Sequence, residues 1–241
     1  MVETGLTFTH PSAILWDMDG VLADTTELHF QTWRLAMADL GITLEREQFL
    51  PFFGRSPLIT LNGLLGPKFD ESTRREIRNR KVALFNKLAP TAIQPTPGVL
   101  SWLMHFSKHS SQAVASSAPP GNIILVLDLL NIRPYFQTIV SGSEKNGKPD
   151  PAVFLRAAKE LSTLPESCLV IEDSPSGVEA ANRAGIPVIA ICTSNPPNQL
   201  HHADLVLPDL SSLSLEIFQH FCQCHYKIYH SQDRKIVNHS I

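Results

Sequence analysis

The sequence has few cysteines, little net charge and no long apolar run, and each of these features argues against one class of protein. No apolar run approaches the length that a membrane-spanning helix needs. Residues 1–12 lack the basic start and the apolar stretch of a secretory signal, so we expect a cytoplasmic protein. The four cysteines among 241 residues suit a compartment that keeps thiols reduced. A formal net charge of −3 gives no general field that would attract nucleic acid or an anionic membrane, so we expect neither partner. We also expect a monomer.

Hydrophobic residues make up 43% of the chain, which is enough for a buried core, and many of them fall into short runs. Helix-like segments separate most of these runs. This alternation is typical of an α/β fold with a parallel, doubly wound sheet. The predicted strands cover residues 13–16, 112–115, 138–140, 168–171, 187–191 and 205–207.

The segment after the first predicted strand has helical rather than strand patterning. Phe30, Trp33 and Met37 recur at helical spacing, and residues 70–88 are rich in charge and free of Gly and Pro. We therefore predict a helical insert that sits over the α/β core. The predicted units are a core of residues 11–25 and 96–220, a helical cap of residues 26–95, and a C-terminal tail of residues 221–241 whose end is frayed.

Two aspartates follow the first predicted strand. Asp17 and Asp19 lie at its carboxyl end, which is where open parallel sheets bind their ligands. Two carboxylates this close together cost repulsion and desolvation unless a cation offsets them. Gly20 allows the backbone to turn tightly at this point. Taken alone, the motif could also be an Asp-rich turn that caps a helix.

Three more polar residues are found where later strands end or shortly beyond them. Ser116 and Ser117 follow the strand at 112–115, where a hydroxyl or a free N–H group can hold a phosphate oxygen, although serine at such a junction is often only a helix cap. Lys148 precedes Pro149, which biases the lysine to an extended conformation and fixes where its ammonium leaves the chain. The alternative is an ordinary surface lysine.

Glu172 and Asp173 add two carboxylates at the end of the predicted strand 168–171. Oxygen ligands of this kind suit Mg²⁺, which typically takes few protein carboxylates together with water and phosphate. Four polar clusters at strand ends are harder to explain as helix caps than any one of them. The sequence thus predicts a magnesium and phosphate site at this edge of the sheet.

These motifs resemble the four ordered motifs of the haloacid dehalogenase-like hydrolases. The residues that carry the resemblance are Asp17-Met-Asp-Gly-Val, Ser116, Lys148-Pro and Glu172-Asp-Ser-Pro-Ser-Gly-Val-Glu-Ala-Ala. The resemblance covers residues 13 to about 207 and implies a Rossmann-like core with a helical cap inserted after the first motif. Residues 24–29, together with Trp33, are similar to the β-phosphoglucomutase branch and to related sugar-phosphate phosphatases.

The resemblance implies a role for each motif. Asp17 would attack phosphorus and form an aspartyl phosphate, and Asp19 would act first as general acid and then as general base. Mg²⁺ would bind the Asp17 carboxylate, the Asp19 main-chain carbonyl and Asp173, with Glu172 at or near the metal. The oxygens of the transferring phosphoryl group would be held by Ser116, Ser117 and Lys148.

Three cap residues are candidate substrate contacts. His29 resembles the mutase-branch histidine that interacts with the acid/base aspartate, and Lys81 falls near the substrate-binding lysine of that branch. An isolated histidine or lysine of the cap is otherwise a surface group. Pro57 stands where the branch has a sugar-contacting arginine, and Arg55, two residues away, is the candidate substitute.

The favoured function is a phosphatase of small phosphorylated metabolites such as sugar phosphates. The alternative is a β-phosphoglucomutase, which interconverts β-glucose 1-phosphate and glucose 6-phosphate by passing the phosphoryl group to another hydroxyl instead of water. How well the cap excludes water separates the two, and the sequence alone does not decide it. A catalytically inactive fold kept for binding is disfavoured, because all four motifs are intact.

Overall fold

Six parallel strands form the central sheet of the computed structural model, which describes residues 10–142 and 147–226. The sheet order is β5-β4-β1-β6-β7-β8, so the chain moves outward from β1 first to one side and then to the other. This confirms the predicted parallel, doubly wound sheet, and each predicted strand overlaps an observed one. In chain order, the strands of the protein are β1 (Ala13–Trp16), β2 (Ala23–Asp24), β3 (Gln94–Pro95), β4 (Ser111–Ser116), β5 (Thr138–Ser141), β6 (Cys168–Glu172), β7 (Val188–Ile191) and β8 (Leu205–Leu207).

The helices begin at residues with the expected capping chemistry. Proline takes the first position of three of them, where its missing N–H is not needed. The side chain of Asp70 accepts a hydrogen bond from the backbone N–H of Thr73 at 2.8 Å and starts the long helix predicted over residues 70–88. In chain order, the helices are α1 (Thr26–Ala38), α2 (Arg46–Phe49), α3 (Pro57–Leu65), α4 (Glu71–Ala92), α5 (Val99–Phe106), α6 (Pro120–Leu129), α7 (Ala152–Glu160), α8 (Pro175–Ala184) and α9 (Leu215–His225).

Alternate residues of the strands face opposite sides of the sheet and build two separate cores. In β1, Ile14 and Trp16 pack in the cluster that contains residues of α5, α6 and α9, whereas Ala13 and Leu15 pack against α7 and α8. Both faces are therefore buried, as a parallel sheet requires. The edge formed by the carboxyl ends of the strands stays available for a site.

Helices α1 to α4 form a cap with a core of its own. Phe30, Trp33 and Met37 of α1 pack with Ile77 of α4 in a cluster that is distinct from the two cores of the sheet. The antiparallel strands β2 and β3 form a ribbon where the chain leaves the sheet for these helices and where it returns. Neither strand of this ribbon was expected from the sequence, because two residues are too few to give a periodic pattern.

The C-terminal helix continues beyond the boundary predicted at residue 220. Phe221 and Cys222 of α9 are buried in the core, and the Tyr226 hydroxyl donates to the carbonyl of Cys168 at 2.8 Å. The first part of the predicted tail therefore packs on the sheet, and the expected fraying concerns residues that lie outside the described ranges. Within 10–142 and 147–226, no helix has both the length and the apolar composition to cross a membrane.

Replacing Phe221 with alanine should lower the free energy of unfolding by about 3–4 kcal/mol, because it leaves a cavity beneath α9. Gln223→Ala, on the exposed side of the same helix, is the matched control and should change it by less than about 0.5 kcal/mol. Urea unfolding of both variants measures the difference. Equal stability of the two variants would show that α9 does not belong to the core.

Candidate active site

The predicted polar residues converge at the carboxyl edge of the sheet. Asp17 follows β1, Ser116 ends β4, and Glu172 ends β6, next to Asp173. Lys148 enters from the connection between β5 and α7. The three acidic side chains and the lysine are each at most 5% exposed, so this is a cluster of charges inside the protein.

The ammonium of Lys148 lies between two carboxylates. Its Nζ donates to Oδ1 of Asp17 and, at 2.6 Å, to Oε1 of Glu172. Burial lowers the pKa of the Lys148 amine, but the two carboxylates outweigh burial and hold that pKa above its ordinary value. The lysine is therefore charged and buried, and the alternative interpretation, an ordinary surface lysine, is wrong.

Glu172 is fully occupied by protein donors. Its second oxygen, Oε2, accepts from the backbone N–H groups of Asp173 and Ser174, both at 2.8 Å, and from the Ser174 hydroxyl at 3.0 Å. A Cβ atom on Gly177 would lie 1.7 Å from Oε1, so the start of α8 needs glycine at this position. Glu172 thus holds Lys148 and shapes the loop between β6 and α8.

Asp173 has a free oxygen. Among the described residues its Oδ1 has no hydrogen-bond partner, and its Oδ2 lies 3.5 Å from the Thr193 hydroxyl. Asn195 donates to the main-chain carbonyl of Asp173 at 3.0 Å. The sequence analysis missed this loop after β7, although polar residues directly after an apolar run were the signal that revealed the other four clusters.

Gly20 allows the first motif to approach the fourth. Its φ of +84° is unfavourable for other residues, and a Cβ atom there would lie 1.9 Å from Oδ2 of Asp173. The predicted tight turn is thus also a close contact between two loops. This contact holds Asp17, which follows β1, close to Asp173, which follows the neighbouring strand β6.

Three carboxylates lie close together in this cluster, and Lys148 contacts two of them. Oxygen atoms of Asp17, Glu172 and Asp173 lie within 4.8 Å of one another. Burial, and then the charge of Glu172, raise the pKa of Asp17 to about 8 against the opposing effect of Lys148. Burial and the neighbouring carboxylates also raise the pKa of Asp173 well above its ordinary value. The excess negative charge and the unpartnered oxygen of Asp173 fit a hard divalent cation such as Mg²⁺.

A second group of interacting side chains connects the cap to Asp19. Nε2 of His29 lies 3.0 Å from Oδ1 of Asp19, and Nζ of Lys81 lies 2.9 Å from Nδ1 of the same imidazole. Because the ammonium can only donate, Nδ1 is the acceptor, and Nε2 carries the proton that His29 donates to Asp19. The Thr25 hydroxyl also donates to Oδ1 of Asp19, at 2.6 Å.

The protonation states in this group follow from burial and mutual contact. Burial lowers the pKa of His29, and Lys81 lowers it further. Burial also lowers the pKa of Lys81, to about 8. Burial alone would raise the pKa of Asp19, but His29, Thr25 and Lys81 together hold it below its ordinary value. Asp19 is therefore a carboxylate in this arrangement, and His29 is neutral.

The pocket between core and cap holds the remaining predicted contacts. Ser116 and Ser117 line its floor beside Asp17, and the buried Ser117 hydroxyl has no hydrogen-bond partner among the described residues. Arg55 and Pro57 lie on the cap side, and Arg55 is exposed. Four aromatic side chains also line this pocket, and none of them was predicted from the sequence as a pocket residue: Trp33, Phe49, Phe52 and Phe53.

Comparison with known proteins gives a consistent family. Residues 14–191 match the family model described as haloacid dehalogenase-like hydrolase. The chain is 35% identical to a phosphorylated carbohydrates phosphatase of Thermotoga maritima over 180 residues, which cover 72% of this chain and 82% of that protein. It is 30% identical to the β-phosphoglucomutase of Bacillus subtilis over 215 residues, covering 85% of this chain and 92% of that protein. A solved β-phosphoglucomutase from Clostridium difficile superposes with a TM-score of 0.79 at 27% identity, covering 88% of this chain and 96% of that one.

Replacing Asp17 with asparagine should stabilise the protein in metal-free buffer at pH 7. The Asp17 carboxyl group loses its proton near pH 4 in the unfolded chain but only near pH 8 in the folded protein. Asp17 therefore lowers the free energy of unfolding more and more as the pH rises between these values. We expect a gain on the order of 1–3 kcal/mol at pH 7 that shrinks toward pH 4. Thermal unfolding at both pH values measures it.

Glu47→Gln, an exposed position on the cap, is the control for loss of a single negative charge and should leave stability unchanged within about 0.5 kcal/mol. If Asp17→Asn were less stable than the unmodified protein at pH 7, this would contradict the excess of negative charge around Asp17.

Proposed function

Since this chain belongs to the haloacid dehalogenase-like hydrolases, we propose that it is a phosphatase of small phosphorylated metabolites such as sugar phosphates. The observation that carries the proposal is the position of Asp17. Asp17 lines the pocket beside Asp19, and the buried Lys148 holds its carboxylate, so a nucleophile and an acid/base group face one space while a cation contacts the nucleophile.

Asp17 is the proposed nucleophile. Its carboxylate oxygen forms a bond to phosphorus while the bond to the leaving oxygen breaks, and that oxygen takes a proton from Asp19. Water then attacks the aspartyl phosphate as Asp19 takes a proton back, which releases phosphate and restores Asp17. We assign the binding of the phosphoryl oxygens to Lys148, which contacts Asp17, and to Ser116 and Ser117, which line the pocket. The Ser117 hydroxyl supports this role, because it has no hydrogen-bond partner among the described residues.

Asp17, Asp173 and the main-chain carbonyl of Asp19 are the proposed ligands of Mg²⁺. When bound, the ion supplies positive charge that offsets the charge of the transferring group. Both oxygens of Glu172 already accept hydrogen bonds from protein groups, so we assign it the positioning of Lys148 rather than direct ligation. The expectation placed Glu172 at or near the metal, and in this proposal it lies near the metal without binding it.

Asp19 needs to change protonation state during the cycle. The contacts from His29 and Thr25 favour its carboxylate, which suits the base that activates water. To act as the acid, Asp19 must hold a proton, and a proton on Oδ1 competes with both of these donors. We therefore propose that substrate binding in the pocket loosens the contact between Asp19 and the cap before the first step.

The cap favours hydrolysis over isomerisation. A mutase must grip a sugar bisphosphate by its remote phosphate in a closed, dry cavity. Pro57 offers no donor for that grip, and Arg55 is exposed on the cap side of the pocket. The contact between His29 and Asp19 favours the alternative, a β-phosphoglucomutase, because the mutase branch shares this histidine.

Removing divalent metal should abolish phosphate release, and Mg²⁺ should restore it. Ca²⁺ should restore it poorly, because its larger and looser coordination shell misplaces the phosphoryl group. Assays of phosphate release after chelation, followed by addition of each metal, measure this. Full activity in excess chelator would contradict the proposed metal site.

With β-glucose 1-phosphate and a bisphosphate primer, free phosphate should form faster than glucose 6-phosphate. The reason is that the cap lacks an arginine at position 57 to hold a second phosphate. A coupled assay for glucose 6-phosphate, run beside a free-phosphate assay, gives both rates. Pro57→Arg tests the reason, since it should shift the ratio toward isomerisation. Glucose 6-phosphate forming many times faster in the unmodified protein would make it a mutase.

A further inference from the structure

Three histidines meet at the edge of the sheet opposite the candidate active site. His10 precedes β1, His105 lies in the last turn of α5, and His109 lies in the connection from α5 to β4. The amino ends of β1 and β4 are neighbours, because the two strands are parallel and paired. The topology therefore brings three imidazoles from two distant segments of the chain together, away from the carboxylates.

The spacing of these imidazoles suits a metal ion. Nε2 of His10 lies 3.3 Å from Nε2 of His105, and one ring nitrogen from each of the three residues lies within 4.8 Å of the others. Two nitrogens bound to a tetrahedral ion at about 2.0–2.1 Å are roughly 3.3–3.4 Å apart. His109 is exposed, so its ring can move to complete the set, and solvent can reach the remaining position.

His10 and His105 are each half-buried, so the cluster is partly enclosed by the protein. The ring of Phe218 lies 6.0 Å from that of His10 and forms part of an apolar wall behind the cluster.

We propose that His10, His105 and His109 bind a transition-metal ion of intermediate softness, such as Zn²⁺. Imidazole nitrogen suits Zn²⁺, Cu²⁺ and Ni²⁺, whereas Mg²⁺ prefers oxygen, so this site and the carboxylate cluster select different ions. Bound metal would join the segment before β1 to the connection before β4. Because the site lies across the sheet from Asp17, the bound metal would take no direct part in chemistry at Asp17.

The alternative is that the three rings only stack and share hydrogen bonds. The rings of His10 and His109 are stacked with centroids 4.1 Å apart, and the 3.3 Å contact between His10 and His105 would then be a hydrogen bond between neutral imidazoles. Metal binding distinguishes these outcomes, because it requires three nitrogens to converge on one ion.

Calorimetric titration of the metal-stripped, full-length protein with Zn²⁺, in excess Mg²⁺, tests the proposal. Excess Mg²⁺ occupies the carboxylates and leaves the histidines for Zn²⁺. We expect one saturable Zn²⁺ site whose affinity falls at least tenfold in His109→Gln and in His105→Gln. Because His109 is exposed, its variant should fold normally even if His105→Gln does not. Zn²⁺ should also raise the unfolding temperature of the unmodified protein but not that of the variants.

His202→Gln is the matched control, since His202 contacts His201 in an exposed pair outside the cluster, with ring centroids 4.0 Å apart. It should bind Zn²⁺ as the unmodified protein does. Binding that His109→Gln leaves unchanged would overturn the proposal, and so would the absence of any saturable Zn²⁺ binding.

Discussion

The buried ammonium of Lys148 is the interaction on which the candidate active site depends. It bridges Asp17 after β1 and Glu172 at the end of β6, two strands that are neighbours in the sheet. Its single charge only partly compensates three carboxylates, so burial and then the neighbouring negative charges raise the pKa of Asp17 and of Asp173. A protein selected for stability alone would not keep this excess of charge, so it indicates a functional site and supports the proposed binding of a cation.

The cap reaches the proposed acid/base group through a second set of contacts. His29 and Lys81 come from α1 and α4, and together they act on Asp19, which belongs to the core. Any motion of the cap relative to the sheet would therefore change the hydrogen bonds and the pKa of the proposed acid/base group. In the proposed mechanism this would couple closure of the pocket to proton transfer, in addition to excluding water.

Sequence patterns predicted the strands, the inserted helices and the four polar clusters, because strand ends of a parallel sheet have to meet at one edge. They did not predict that Glu172 would be occupied by Lys148 and by its own loop, since such contacts depend on distances between segments far apart in the chain. The role of Thr193 and Asn195 was missed, although its signal was visible. The histidine cluster was beyond reach, because His10 lies some hundred residues from its partners.

The central claim is that Asp17 carries the phosphoryl group covalently. The most direct measurement is an acid quench of the Asp19→Asn protein during the first turnover of a phosphate ester with a good leaving group, followed by mass mapping of its peptides. Slow hydrolysis in this variant should allow the intermediate to accumulate. The account predicts one hydroxylamine-sensitive phosphoryl group on the peptide that contains Asp17, and none when Asp17 is also replaced by asparagine. Release of the leaving group without a covalent adduct, or an adduct on another residue, would contradict it.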